Sequence, residues 1–271
     1  MLKSFVNSQN TLPNEAYFVI DGGYLLQTVV WPKPATYQNL CECYTSYVTK
    51  HYKTGATVVF DGYGGPLSTK SAEQNHRANR CTSADIIAAP NLPTTTSQCE
   101  FLGNRNNKTR LIQMLGDMLA TFGIVVKQAE ADADSLIVLT ALQMAEERDG
   151  LPVVVIGTDT DILVMLVGRA TTSMNIYMLC HSKPLTLYNI KQIQDALGDN
   201  KDQLLVIHAA TGCDTTSALY NQGKCKALKM IKGKSSRSSD IAVFLSDSST
   251  HEEVAVAGEK FLLRSEERRV G

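Results

Sequence analysis

The sequence predicts an α/β protein with a central, mainly parallel sheet flanked by helices. Five short apolar runs, rich in β-branched residues, have the length and composition of buried parallel strands. Segments with helical periodicity separate them, and this alternation is typical of parallel sheets. The 271 residues are 44% hydrophobic, which is enough apolar material for a large core. At roughly 150 residues per domain, the length predicts one large domain or two small ones.

The predicted elements follow one another in a regular order. Strands are predicted over 17–20, 57–60, 124–126, 152–156 and 176–179. Helices are predicted over 37–53, 108–122, 132–147, 161–168 and 189–197, and again from residue 204 onward. Residues 81–107 are rich in Pro, Thr and Asn, which predicts a long surface loop. Residues 233–271 are interpreted as a Gly/Ser/Asp-rich linker followed by a charged, non-native tail.

Charge and hydropathy exclude several classes of protein. The net charge is −1, so any nucleic-acid binding must come from a local basic patch. The longest apolar stretch, 150–170, is interrupted by Asp159 and Asp161, whereas a membrane-spanning helix needs about 20 successive apolar residues. The N-terminus has no apolar signal region, and the seven cysteines form no disulfide or zinc framework. We expect an intracellular protein with reduced thiols and no membrane partner.

Acidic residues follow nearly every predicted strand. Because the carboxyl ends of parallel strands meet at one edge of the sheet, these side chains are expected to converge on a single crevice. In chain order they are Asp21, Asp61, Glu130, Asp132, Asp134, Asp159, Asp161 and Asp214.

Carboxylates that lie so close together repel one another, so a cation must offset their charge. Oxygen ligands without His or Cys suit Mg²⁺ or Mn²⁺ better than zinc. Two such ions about 3.5–4 Å apart are the arrangement that hydrolyses phosphodiesters. Taken singly, these acids also have structural explanations: a turn at Asp21 or Asp61, a helix cap at Asp159 or Asp161, or a first-turn charge at Asp132 or Asp134.

Five short motifs occur in a characteristic order over roughly residues 17–232. They are FVIDGGYLL, VVFDGYGGPLSTKSAEQNHR, EADAD, GTDTDILV and GCDTTSALYNQGKCKALKMI. Together they resemble the flap endonuclease/XPG branch of the PIN-domain-like nucleases. GTDTDILV with GCDTTSALYNQGK resembles a divergent subgroup found in invertebrates and in mobile-element-like genes. The resemblance implies a three-layer PIN-like nuclease domain over 1–200 and a helix–two-turn–helix-like segment over 201–232.

The resemblance also implies roles for individual residues. The positions that match the family's metal-site aspartates are Asp21, Asp61, Asp159, Asp161 and Asp214. Lys70 and Arg77 match two cations that approach the scissile phosphate; seven residues apart on a helix, they would share one face. The family's acidic pair matches either Glu130 with Asp132 or Asp132 with Asp134, and both registers remain open.

A basic patch follows the last of these aspartates. The residues that match the family's contact with the duplex backbone are Gly223, Lys224, Lys226 and Lys229, and no acid interrupts these lysines. Residues 81–107 stand where the family has a helical arch, but their composition does not fit a long helix pair. Threading of a single-stranded flap is therefore not expected.

These features predict a structure-selective endonuclease with two Mg²⁺ ions, for which Mn²⁺ can substitute. Branched or flapped DNA would be its partner in the nucleus, with RNA an open alternative. A catalytically inactive PIN-like nucleic-acid-binding module is the alternative function. A nucleotide-binding α/β protein is disfavoured, because no G-x-G-x-x-G motif follows a predicted strand.

Overall fold

A single mixed sheet forms the centre of the protein. The computed structural model describes residues 11–62, 83–148, 150–181, 184–198, 201, 203–213, 243–246 and 248–267. The strands are β1 (Tyr17–Asp21), β2 (Thr57–Phe60), β3 (Val125–Gln128), β4 (Val153–Ile156), β5 (Ile176–Cys180) and β6 (Thr186–Asn189). They lie in the order β3-β2-β1-β4-β5-β6. Every neighbouring pair is parallel except β5 and β6, which confirms the predicted mainly parallel sheet.

Helices cover both faces of this sheet. They are α1 (Gly22–Thr28), α2 (Tyr37–Tyr52), α3 (Gln98–Gly103), α4 (Arg105–Thr121), α5 (Asp134–Glu147), α6 (Thr160–Arg169), α7 (Ile190–Leu197), α8 (Gln203–Ala210) and α9 (His251–Glu267). Helices α1 to α4 pack on one face and α5 to α8 on the other. The protein is therefore a three-layer α/β structure, as the sequence predicts.

The strands supply alternate residues to two separate cores. In β1, Phe18 and Ile20 face the layer of α1 to α4, whereas Val19 faces the layer of α5 to α8. Strand β4 divides in the same way, with Val154 in the first core and Val155 in the second. All these side chains are at most 5% exposed. Burial on both faces explains why these strands are continuous apolar runs.

Two elements of the structure, β6 and α1, are absent from the sequence prediction. Strand β6 is a short antiparallel edge strand in which only Leu187 and Tyr188 are buried, so it has no extended apolar run. Helix α1 begins with Gly22 and Gly23, which are poor helix formers. The Asp21 side chain caps this helix and so stabilises its first turn.

The long loop predicted over 81–107 is wrong in its second half. Residues 98–103 form α3, which begins with a capping box between Ser97 and Glu100 and buries Phe101 completely. Helix α4 begins at Arg105, earlier than predicted, because Asn104 caps it. The fully buried Asn107 accepts a hydrogen bond from the Ile86 amide at 2.7 Å. The asparagines that indicated a loop therefore cap and anchor helices instead.

A helix also stands within the segment interpreted as linker and tail, 233–271. Helix α9 covers His251–Glu267 and is preceded by a capping box in which Thr250 and Glu253 each accept a hydrogen bond from the other's amide. Ala257 on this helix is buried. Within the described residues, no helix combines the length and hydrophobicity that crossing a membrane requires.

Candidate metal centre

The candidate centre lies where the strand order changes direction. Strands β2, β1 and β4 are neighbours, and the chain connections leave to opposite sides between β1 and β4. Such a switch point opens a crevice at the carboxyl ends of the strands. Asp21 is the last residue of β1, Asp61 directly follows β2, and Asp159 follows β4 after Gly157 and Thr158. The structure therefore brings together three of the predicted acids, which we call the carboxylate cluster (Asp21, Asp61 and Asp159).

Asp21 is fixed by the helix that it caps. Its Oδ1 atom accepts hydrogen bonds from the amides of Gly23 at 2.8 Å and Tyr24 at 3.2 Å. Burial raises the pKa of Asp21 to about 6, and the charges of Asp61 and Asp159 also raise it, against the lowering effect of the two amides. The ionised cluster is thus electrostatically costly by itself, and a cation would relieve it.

Asp61 is held by two partners on the neighbouring elements. Its Oδ1 atom accepts a hydrogen bond from the Ala133 amide at 3.2 Å. Its Oδ2 atom lies 3.7 Å from Lys108 Nζ, and both side chains are partly exposed. Lys108 is a cation at the crevice that the sequence prediction missed, since it lies within α4 and outside the five recognised motifs.

The next residue, Gly62, packs against the loop between β3 and α5, residues 129–133, which we call the acidic loop. Its amide donates to the Ala131 carbonyl at 2.7 Å. A Cβ atom at this position would overlap the carbonyl oxygens of Ala129 and Glu130, so only glycine allows this approach. The loop therefore crosses directly over the residue that follows Asp61.

The three candidates for the acidic pair differ in environment. Asp132 is half-buried and Asp134 is buried, and they flank the Ala133 amide that binds Asp61. The Glu130 side chain is exposed. Asp132 and Asp134 thus stand beside a residue that contacts the carboxylate cluster.

Asp159 caps α6, which is one of the structural roles that the sequence analysis considered for it. Its Oδ1 atom accepts a hydrogen bond from the Asp161 amide at 2.8 Å. Capping by Asp159 and Asp21 does not exclude metal binding, because each carboxylate has two oxygens and about four lone-pair sites. The capping bonds fix the direction in which each carboxylate is presented.

Asp161 belongs to a different group of side chains. Its Oδ1 atom lies 3.2 Å from His208 Nε2, and His208 is almost completely buried. Cys213 completes a set of three donor atoms that all lie within 4.8 Å of one another. We call this set the mixed cluster (Asp161, His208 and Cys213). The sequence prediction missed His208 and Cys213, although Cys213 directly precedes a predicted ligand.

The carboxylate cluster fits a hard divalent cation. It offers only carboxylate oxygens, which are the ligands that Mg²⁺ and Mn²⁺ prefer. Burial, together with the smaller effect of the charges of Asp61 and Asp159, raises the pKa of Asp21, and a bound cation would lower that pKa again. The other predicted site residues lie outside the described residues; they are Lys70, Arg77, Asp214, Gly223, Lys224, Lys226 and Lys229.

Known structures share this fold. No protein-family model and no curated protein matches the chain. The catalytic core of Rad2 in complex with DNA substrate (complex II) is 14% identical with a TM-score of 0.50, over 91% of this chain and 70% of that chain. The same core in complex IV is 17% identical with a TM-score of 0.50, over 98% and 74%. The chain thus shares the fold of the Rad2 catalytic core, which confirms the predicted PIN-like fold.

Proposed function

We propose that the protein is a metal-dependent endonuclease that hydrolyses phosphodiester bonds in nucleic acid. The observation that carries this proposal is the convergence of Asp21, Asp61 and Asp159 at the switch point of the sheet. The fold is shared with the Rad2 catalytic core, whose structures contain DNA substrate. We extend that class of substrate to this chain and infer branched or flapped DNA, which would place the protein in the nucleus.

The same strand order occurs in dinucleotide-binding proteins, so the residues at the crevice decide between the two functions. A dinucleotide site needs a glycine-rich turn whose amides face the pyrophosphate. Here the amides after β1, those of Gly23 and Tyr24, already bind the Asp21 carboxylate. An acidic crevice would repel a phosphate unless a metal ion lay between them. The arrangement therefore favours metal-dependent chemistry on a phosphodiester.

The residues that would hold the catalytic ion are those of the carboxylate cluster, together with Asp132 or Asp134. Bound Mg²⁺ supplies an activated water and offsets the charge that develops on the phosphate. The protein's own contribution is to fix the carboxylates in advance, through the capping bonds of Asp21 and Asp159 and the Ala133 amide on Asp61. Preorganised ligands lose little freedom during the reaction.

Cations of the chain would complete the site. Lys108 lies at the crevice beside Asp61 and can approach a phosphate oxygen there. We further propose that Lys70 and Arg77 neutralise charge on the scissile phosphate. Gly223, Lys224, Lys226 and Lys229 are proposed to bind the duplex backbone. Cleavage of this type leaves a 5′-phosphate and a 3′-hydroxyl.

The test is cleavage of end-labelled flap, hairpin and single-stranded DNA, and of matched RNA, by the full chain with Mg²⁺, Mn²⁺ or EDTA. Asp159→Asn removes one charge from the carboxylate cluster but keeps a good helix cap. We expect this variant to lose on the order of a hundredfold or more in rate, since even outer partners of metal ligands cost about 10–100-fold. Nucleic-acid binding should be kept or strengthened.

The matched control is Asp195→Asn, which makes the same chemical change at an exposed position of α7. It should cleave at the wild-type rate. Normal cleavage by Asp159→Asn would show that the carboxylate cluster is not the catalytic centre. Salt-sensitive binding without cleavage in either metal would identify the protein as a non-catalytic nucleic-acid-binding module.

A further inference from the structure

We propose that Asp161, His208 and Cys213 form a separate metal site that selects a transition-metal ion of the Zn²⁺ type. The site would stand in place of the second Mg²⁺ ion that the sequence predicts, and it does not depend on whether the protein cleaves nucleic acid. Three observations support it: the spacing of the donor atoms, the burial of His208, and the packing of the helices that carry the cluster.

The spacing of the donor atoms fits one tetrahedral ion. Asp161 Oδ1 and His208 Nε2 are 3.2 Å apart. Two ligands bound to one tetrahedral zinc at 2.0–2.1 Å lie about 3.3 Å from each other. The three donor atoms of the cluster lie within 4.8 Å of one another, so a side-chain adjustment of about 1 Å would bring the thiol to a normal Zn–S distance.

His208 is buried and turned toward the cluster. Its side chain is 7% exposed, and its Nε2 atom faces Asp161. Its Nδ1 atom is buried and has no hydrogen-bond partner among the described residues. The Nε2 atom is therefore the one that the fold presents to a polar group. A neutral imidazole nitrogen and a carboxylate oxygen at this distance share a proton or a metal ion, and the Cys213 thiol is a third group that a metal ion would bind.

The packing of α6 against α8 builds the cluster. A Cβ atom at Gly168, near the end of α6, would lie 2.6 Å from Leu205 Cγ on α8, so the absence of a side chain there allows the close approach. Asp161, at the start of α6, meets His208 near the end of α8, and the two helices therefore run in opposite directions. Thr211 closes α8 by donating from Oγ1 to the buried Ile207 carbonyl at 2.7 Å.

The donor set determines which ion is favoured. Imidazole and thiolate bind Zn²⁺ and similar ions much better than they bind Mg²⁺, which prefers oxygen ligands and retains water. The carboxylate cluster offers only oxygens, whereas the mixed cluster offers one oxygen, one nitrogen and one sulfur. We therefore expect the two sites to hold different ions at the same time.

The experiment uses Co²⁺ as a spectroscopic probe of the metal-free full chain, with excess Mg²⁺ present and no nucleic acid. We expect Co²⁺ to bind and to give a thiolate-to-cobalt charge-transfer band, which Zn²⁺ then removes. Cys213→Ser should lose the band, whereas Cys99→Ser, a change at an exposed cysteine, should keep it. His208→Asn should weaken binding by about tenfold or more, and His51→Asn, at an exposed histidine of α2, should not.

A second measurement on the wild-type chain avoids any effect of the substitutions on folding. Zn²⁺ should protect Cys213 from alkylation in the presence of Mg²⁺ and leave Cys99 reactive, as mapped by mass spectrometry. The proposal is overturned if Mg²⁺ prevents Co²⁺ binding, if the band persists in Cys213→Ser, or if Zn²⁺ leaves Cys213 unprotected. Because cleavage is not measured, none of these outcomes depends on the proposed nuclease activity.

Discussion

The carboxylate cluster and the mixed cluster differ in how the chain builds them. Asp21, Asp61 and Asp159 stand at or just after strand ends, and each is fixed by a backbone amide. The mixed cluster instead depends on the packing of α6 against α8, which buries His208 beside the half-buried Asp161 and Cys213. The comparison teaches that local sequence position specifies the first group, whereas long-range helix packing specifies the second.

The largest effect should come from the burial of the Asp21 carboxylate, to which the charges of Asp61 and Asp159 add. The pKa of Asp21 is raised from 3.8 to about 6, so the folded chain holds this proton more tightly than the unfolded chain. Asp21 therefore contributes stability that is fully present below pH 3.8 and is lost as the pH rises through about 6. A shift of about two pKa units corresponds to roughly 3 kcal/mol.

Urea unfolding in EDTA, over the pH range that spans both values, measures this contribution. Asp21→Asn keeps an oxygen that can cap α1 but removes the titrating group. The variant should therefore lack the decline in unfolding free energy that the wild type shows. In a parallel titration with Mg²⁺ in place of EDTA, the decline in the wild type should be smaller. Identical pH profiles for the two proteins would remove the electrostatic distinction between the clusters.

A smaller effect should follow from adding a Cβ atom at Gly62, the residue after Asp61. Gly62→Ala would place a Cβ atom against the carbonyl oxygens of Ala129 and Glu130, which are backbone atoms that cannot rotate away. We expect a loss of about 1–3 kcal/mol in unfolding free energy and weaker Mg²⁺ binding, both measurable by urea titration with and without the ion.

The matched control for this change is Gly116→Ala in α4. Its Cβ atom would lie 3.7 Å from Val126 Cγ1, an ordinary contact, and alanine favours the helix by up to about 1 kcal/mol. This variant should be as stable as the wild type or more stable. If Gly62→Ala behaves in the same way, the acidic loop is not fixed against Asp61 as described.

The smallest effect should come from the cation at the edge of the carboxylate cluster. The Lys108–Asp61 pair is partly exposed, so its loss should change stability by about 0–1 kcal/mol. Lys108→Gln should weaken nucleic-acid binding modestly and reduce the slope of log affinity against log salt concentration by about one, if Lys108 contacts a phosphate. Lys191→Gln, at an exposed position of α7, serves as the control. An unchanged slope would show that Lys108 does not contact a phosphate of the nucleic acid.

Prediction from the sequence succeeded where a local pattern carries the information. The five parallel strands and the helices α2 and α4 to α8 were predicted within a few residues, because buried strands and amphipathic helices have distinct periodicities. The prediction failed over 98–107, where the composition indicated a loop but Ser97 and Asn104 cap helices. It also failed at β6, which has only four residues, of which two are buried, and therefore shows no clear hydrophobic pattern.

The candidate centre likewise has one part that could be predicted from the sequence and one part that could not. The positions of Asp21, Asp61 and Asp159 after strands are visible in the sequence, because the strand ends of a parallel sheet share one edge. The approach of His208 and Cys213 to Asp161 is not visible, since it requires α8 to pack against α6 at Gly168. A lone histidine in an apolar helix has no periodicity that distinguishes it from a buried structural residue.

The sequence by itself determined the α/β class, the five parallel strands and the acidic character of one edge of the sheet, because these depend on neighbours along the chain. Only the tertiary structure decided the strand order, the switch point between β1 and β4, and the division of the acids into two clusters. The physical reason is that side chains far apart in sequence share a site only when packed elements bring them within a few ångströms. That geometry is fixed by the fit of whole surfaces, such as that of Gly168 against Leu205.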